Sequence, residues 1–220
     1  MQYVLVILRE NYQEWADIIL TDDKRAILFE WSYLYMDFGW RITKYNPDHR
    51  NDRGNYSKDE WTSISDIGST YDNKPLTIEK YKETEDLYVR AILTFVEFLN
   101  IPYLQVKELW MQDANDYEQR SNNSKYQSIY SRELVDAFST ITEGELLQKD
   151  SIVQTTRLIL RENIWCKYQY QALMYVHFGY DYYMYIGSSQ PCSGLIQGIV
   201  ASGLFVEPFE SPYLDNEDDE

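Results

Sequence analysis

Cys192 and His177 are the residues whose side chains are best suited to covalent chemistry in this chain of 220 residues, which has only two cysteines and two histidines. Cys192 follows Pro191 at the predicted start of a helix, just after a predicted strand. Backbone N–H groups at a helix N-terminus lower the pKa of a nearby thiol, so Cys192 is a candidate nucleophile. His177, on the neighbouring predicted strand, is its candidate base.

A second interpretation of the same two residues requires no catalysis. Free cysteine is common as a small apolar residue in protein cores, and a histidine within a sheet is usually held by hydrogen bonds. We favour this interpretation and predict no catalytic residues. An enzyme that uses Cys192 and His177, or carboxylates of the long loops, remains the alternative.

Metal and cofactor motifs are missing from the sequence. The best cluster of metal-binding residue types is Asp48, His49 and Asp52, and two histidines are too few for an ordinary zinc site. The segment after the predicted hairpin, "GSSQP", lacks the second glycine of a nucleophile elbow and the Gly-Lys-Ser/Thr of a phosphate loop. We therefore predict no bound metal and no cofactor.

Tyrosine is unusually frequent, with 21 residues, and it is concentrated in "YDYYMYIG", residues 180–187. In a strand, alternate side chains point to opposite faces. Tyr183 and Tyr185 therefore share one face, and the other face carries Tyr182, Met184 and Ile186. Tyrosine offers a large contact area with few rotatable bonds and is enriched at interfaces. Tyr180, Tyr183 and Tyr185 are therefore predicted to bind a partner.

The formal net charge of −16 restricts the partners that the protein can have. Such a charge repels nucleic acid and anionic membranes and attracts basic proteins. The chain ends in a run of acids, which we predict to be a flexible tail that takes part in partner binding by steering the basic partner towards the protein. The acidic residues of this tail are Asp215, Glu217, Asp218, Asp219 and Glu220.

The sequence also predicts where the protein resides. The N-terminus lacks the basic region of a signal peptide, and no apolar run approaches the roughly 18 residues of a membrane span. Two cysteines do not form a disulfide framework. We expect a cytoplasmic protein with reduced thiols and no membrane partner.

Hydrophobic periodicity and capping residues predict the elements. The predicted elements of the first two thirds are a strand at Tyr3–Leu8, helices at Asn11–Leu20 and Asp22–Phe38, a polar loop at 41–75, a helix at Thr77–Leu99, an amphipathic piece at Tyr103–Met111, a helix from Ser131 to Thr140 and a further helical stretch ending near Glu162.

The last third changes in character, because "KYQYQALMYVHFG" and "DYYMYIG" predict a hairpin. A helix that begins near Ser188 or Ser189 and ends at Gly203 follows it, and a last strand, "LFVEPF", is predicted to be an edge strand because of Pro208. The fold class predicted is α+β, predominantly helical, with a small sheet formed by the N-terminal strand, the tyrosine-rich hairpin and the last strand. Residues 1–214 are predicted to form one domain with a helical middle region, and 215–220 the tail.

A small, acidic, cysteine-poor and tyrosine-rich chain is typical in composition of bacterial immunity proteins and antitoxins. We therefore predict an acidic binding protein that neutralises a basic protein partner, such as a toxin, by occlusion. A cytosolic enzyme and a structural subunit that dimerises through its aromatic sheet face are the two alternatives.

Overall fold

Seven strands form one antiparallel sheet at the centre of the protein. The computed structural model describes residue 36 and residues 38–214. The strands of the sheet are β1 Phe38–Thr43, β4 Leu104–Met111, β5 Leu146–Leu147, β6 Ile164–Tyr170, β7 Met174–Phe178, β8 Met184–Ser188 and β9 Phe205–Pro208. A separate small hairpin contains β2 Thr70–Tyr71 and β3 Lys74–Pro75. The order of the strands across the sheet is β5-β4-β6-β7-β8-β1-β9.

The prediction of a predominantly helical protein with a small sheet is wrong. The protein is of mixed α/β type and the sheet is its largest element. The described residues do not include the predicted strand at Tyr3–Leu8, the predicted helix at Asn11–Leu20 or most of the predicted helix at Asp22–Phe38. The end of that last helix is incorrect, because Phe38 is the first residue of β1.

The pairing of β1 explains this error. Trp40 lies opposite Ile186 and Ile42 opposite Met184, so alternate residues of β1 face the core while Arg41 faces the other side. Phe38 also fits the helical spacing of the preceding apolar residues, and this coincidence extended the predicted helix too far.

The segment Tyr103–Met111, predicted as an amphipathic piece, is mostly strand β4. Its pairing with β6 shifts register between Lys107 and Trp110, and Glu108 has a positive φ of 54°. An irregularity of this kind inserts an extra residue and breaks the alternation of apolar and polar residues. Val106, Leu109 and Trp110 consequently have helix-like spacing although they lie in a strand.

Five α-helices occur in the described part of the chain: α1 Ile78–Phe98, α2 Ala114–Ser121, α3 Arg132–Thr140, α4 Lys149–Leu160 and α5 Ser193–Ala201. The prediction of α1 is confirmed: the Thr77 hydroxyl accepts a hydrogen bond from the Lys80 N–H. At the other end, Asn100 adopts a left-handed conformation and the Ile101 N–H bonds to the Val96 carbonyl, which is a Schellman motif. The predictions of α3, capped by Ser131, and of the edge strand β9 are also confirmed.

The helices and the long loop pack against one face of the sheet. Residues of α1, α3, α4 and α5 share one buried cluster with Ile42, Val106, Tyr168, Val176 and Ile186 of the strands. The opposite face carries polar residues and Tyr185, and residues 209–214 cross it. Phe209 and Tyr213 pack against Tyr185 with ring centroids 5.8 and 5.9 Å away.

Candidate functional site

A tight turn joins β7 to β8 and presents the most exposed large side chain of the hairpin. The Tyr183 N–H donates to the Tyr180 carbonyl at 3.1 Å, and Asp181 and Tyr182 have φ values of 56° and 62°. These are the features of a type I′ turn, in which glycine and asparagine are the usual central residues. A tyrosine in the left-handed conformation is strained, so other contacts must hold it there.

The side chain of Tyr182 provides those contacts. It is buried, and its ring lies 5.0 Å from the ring of Trp61 and 5.4 Å from that of Tyr88. The Tyr88 hydroxyl donates to the Tyr182 carbonyl at 2.6 Å and accepts from the Lys44 N–H at 2.8 Å. Tyr182 therefore anchors the turn in the core, and Tyr180 is left 87% exposed at its tip.

The turn carries one carboxylate, Asp181, and three more lie in its electrostatic neighbourhood: Glu60, Asp66 and Glu162. The pKa of Glu162 is raised, chiefly because neighbouring protein desolvates its carboxyl group, although the residue as a whole is exposed. Arg120 opposes this shift, while the negative charges of Asp181 and Asp66 add to it. Glu60, Asp66 and Asp181 also act together on the pKa of Lys44, so the four carboxylates lie in one region of the surface.

Lys44 lies in the same region but is partly withdrawn from solvent. Its Nζ is 4.0 Å from the ring centroid of Tyr45 and 4.1 Å from that of Trp61. Its contact with the Glu60 carboxylate is 3.5 Å, and the other oxygen of Glu60 accepts from the Tyr56 hydroxyl. Burial lowers the pKa of Lys44 to about 8, although Glu60 opposes the shift. Lys44 is still mostly protonated at neutral pH, and the neighbouring Glu60 carboxylate balances its charge.

The three tyrosines predicted to bind a partner have different environments. Tyr180 is exposed, Tyr183 is half-buried, and Tyr185 is 8% exposed beneath Phe209 and Tyr213. The acids predicted for the same role, 215–220, lie outside the described residues. Of the three tyrosines, Tyr180 alone presents a large accessible surface.

His177 and Cys192 lie on opposite faces of the sheet. His177 is paired with Tyr185 on the outer face, and its Nδ1 is 2.8 Å from the Ser211 hydroxyl. The Cys192 thiol donates to the Gln190 carbonyl at 3.2 Å and lies 3.7 Å from the Ser188 hydroxyl. Ser188 is paired with Met174 across β7 and β8, and Met174 is in the core, so Cys192 lies on the core side of the sheet.

The electrostatic environments of these two residues also differ from those of a catalytic pair. Burial lowers the pKa of His177 to about 3, with a further contribution from the positive charge of Lys167. Burial raises the pKa of Cys192. The structure therefore does not bring together the thiolate and the base that the alternative enzyme requires.

Within residues 38–214, no group of three or more His, Cys, Asp or Glu side chains is placed to hold a metal ion. No helix of this region has the length and apolar character that a membrane crossing requires.

Sequence reasoning missed Glu60, Trp61 and Asp66, which belong to the long polar loop. Their only signal in the sequence is that a long loop in a compact domain is often functional. No protein-family model, curated protein or solved structure matches this chain, so the site has to be interpreted from its own geometry.

Proposed function

We propose that this protein is an acidic binding protein that recognises a basic protein partner with the turn around Tyr180, and that it neutralises the partner by occlusion, in the manner of an immunity protein or antitoxin. A cytoplasmic location fits this role. The observation that carries the proposal is the 87% exposure of Tyr180 on a turn whose neighbouring residue, Tyr182, is fixed in the core.

Rigid presentation of an aromatic residue favours binding. Tyrosine is among the residues that contribute most to interface energy, and a turn that is already ordered loses little entropy on association. The contacts of Tyr182 with Trp61 and Tyr88 supply this order before any partner arrives.

The surrounding charges favour a basic partner. The carboxylates of Glu60, Asp66, Glu162 and Asp181 border the turn, and the chain as a whole carries −16. Acidic groups at the border of an interface accelerate association with a cationic protein and disfavour anionic ones.

Neither alternative gains support from a specific contact. An enzyme that uses Cys192 and His177 would need the two side by side, and they lie on opposite faces of the sheet; for an enzyme that uses loop carboxylates, no contact favours a catalytic role among the described residues. A dimer through the aromatic sheet face would need Tyr185, which is covered by Phe209 and Tyr213.

Affinity capture with three matched proteins tests the proposal. The tagged wild type, Tyr180→Ala and Phe98→Ala are each incubated with lysate of the protein's own host. Phe98 is a suitable control because it is 53% exposed and lies ten residues beyond Tyr88, about 15 Å along α1. We expect a basic protein that binds wild type and Phe98→Ala and binds Tyr180→Ala at least about tenfold more weakly. Equal affinity for all three would refute the role of the turn.

Kinetics of the captured pair separate steering from direct contact. The association rate should fall steeply as salt rises, because the field of −16 is screened. Deletion of residues 215–220 removes five acidic residues and should slow association modestly while leaving the dissociation rate unchanged. A rise in dissociation rate beyond about tenfold would show that the tail docks on the partner.

A further inference from the structure

Glu207 on the edge strand β9 is shared by two arginines. It lies directly opposite Arg41 of β1, whose Nε and Nη2 are 3.3 and 3.1 Å from its Oε2. Arg50, which follows the short 3-10 helix at Pro47–His49, approaches from the loop, and its Nη1 lies 2.7 and 2.6 Å from the two carboxylate oxygens. Two guanidinium groups thus face one carboxylate, which leaves one positive charge uncompensated within this cluster.

The guanidinium of Arg50 is only partly used by Glu207. Its side chain is 9% exposed. Within the described residues, its buried Nε and Nη2 donate no hydrogen bond of regular geometry, although the Tyr183 hydroxyl lies nearby. Buried donors are normally satisfied, so two on one side chain call for an explanation.

The two Arg50 nitrogens without a regular hydrogen bond have a fixed geometry. Nε and Nη2 lie on one edge of the planar guanidinium and direct two parallel N–H bonds outward, which suits a group with two oxygens. Arg161 shows this use within the same protein, because its Nε and Nη2 donate to the two carboxylate oxygens of Glu85, both at 2.6 Å. The equivalent edge of Arg50 has no such acceptor among the described residues.

The surroundings of Arg50 favour an anion. Arg41 and Arg50 both face Glu207, so this cluster keeps one positive charge in a chain whose net charge is −16. Rings of Tyr45, Tyr56 and Tyr183 pack together beside Arg50, with centroids 4.8 Å apart for Tyr45 and Tyr56 and 5.6 Å for Tyr45 and Tyr183. Aromatic walls exclude water, and charge-assisted hydrogen bonds are stronger in such an environment.

We propose that the Nε and Nη2 edge of Arg50 is a binding site for a small oxyanion that presents two oxygens, of the carboxylate or phosphate class. This site does not depend on the partner-binding role of Tyr180. Both nitrogens are closed to solvent, so the anion enters when a neighbouring side chain moves aside. Tyr183 is half-buried and lies next to the guanidinium, so access to the site requires this side chain to move.

Nuclear magnetic resonance of arginine side chains tests the proposal on the unaltered protein. The Nε–H signals are followed while inorganic phosphate or acetate is added, with chloride at equal ionic strength as the control. We expect a saturable shift of the Arg50 signal with at least one of the two oxyanions and none with chloride. The signal of Arg132, which is 91% exposed, should shift no more than it does in chloride.

The two titrations also distinguish the source of the anion. A response to acetate alone assigns a carboxylate ligand, and a response to phosphate alone assigns a phosphate ligand. An Arg50 signal that behaves like that of Arg132 in both titrations would overturn the proposal.

Substitutions give an independent measurement. Arg50→Lys keeps the positive charge but loses the two parallel N–H bonds, and Arg132→Lys is the matched control. At an anion concentration ten times Kd, the unfolding equilibrium constant should fall about 11-fold for the wild type and for Arg132→Lys. It should be nearly unchanged for Arg50→Lys, and an equal fall in all three proteins would contradict the assignment.

Discussion

The substitution Glu85→Ala removes the carboxylate that holds the guanidinium of Arg161 inside the protein. Glu85 of α1 and Arg161 after α4 have side-chain exposures of 0% and 1%, and two hydrogen bonds of 2.6 Å join them. Arg161 also donates to the Ile129 carbonyl at 2.5 Å, and Arg157 reaches Glu85 at 3.3 Å. Without Glu85, the positive charge of Arg161 stays buried, and no carboxylate faces the Nε and Nη2 edge of its guanidinium.

The loss should be large because the remaining charge cannot reach water. Breaking one partner of a buried ion pair costs about 3–5 kcal/mol. For a chain of this size, each kcal/mol lowers the thermal midpoint by roughly 2–4 °C. We therefore expect Glu85→Ala to lower the midpoint by roughly 6–20 °C.

Urea denaturation of four proteins measures this loss. Glu83→Ala, on the same helix, is the matched control because Glu83 is 66% exposed and pairs with Lys80 alone among the described residues. It should change stability by less than about 0.5 kcal/mol. The double variant Glu85→Leu/Arg161→Met removes both charges and should recover much of the loss. If Glu85→Ala were no more destabilising than Glu83→Ala, the ion pair would not have the energetic role that its burial implies.

Four further substitutions follow from the structure. Gly187→Ala places a methyl group 2.0 Å from a ring carbon of Tyr175, so it should destabilise the protein by about 1–3 kcal/mol in urea unfolding. The methyl group of Gly198→Ala meets no atom within 4 Å, so this substitution should stabilise α5 by up to about 1 kcal/mol. A Gly198→Ala protein less stable than Gly187→Ala would contradict both expectations. Burial lowers the pKa of His177 to about 3. Between pH 6.5 and 3, the unfolded chain therefore binds a proton at His177 that the folded protein does not bind. The free energy of unfolding should fall as pH falls through this range. Unfolding measured at several pH values should show a weaker dependence for His177→Gln than for the wild type, and identical slopes would refute the assignment. Cys192→Ala should leave partner capture unchanged, because Cys192 is 1% exposed and its thiol donates a hydrogen bond on the helix side of the sheet. Lost capture with an unchanged free energy of unfolding would support thiol chemistry.

Local signals in the sequence were sufficient for several elements. Thr77 and Ser131 begin α1 and α3 because their hydroxyls accept N–H groups that have no partner within the helix. Pro208 placed β9 at the edge of the sheet because proline cannot donate to a second strand. In each case a residue and its near neighbours in the chain contain the cause.

The size of the sheet was not available from such signals. The irregularity at Glu108 gives β4 a helix-like spacing of apolar residues, and Phe38 fits two periodicities at once. Pairing between β1 and β8 joins residues far apart in the chain, and this pairing decides that residues 38–43 are a strand.

The candidate sites show the same division. The sequence by itself determined the acidity, the tyrosine-rich hairpin and the position of its turn, since these depend on composition and local preference. Tertiary structure decided the exposure of each tyrosine: Trp61 packs on Tyr182 and Phe209 on Tyr185, while no residue in the described part of the chain covers Tyr180 in this way. Arg50 and Glu207, 157 residues apart, likewise meet only in the folded chain, because burial and ion pairing depend on which distant segments pack together.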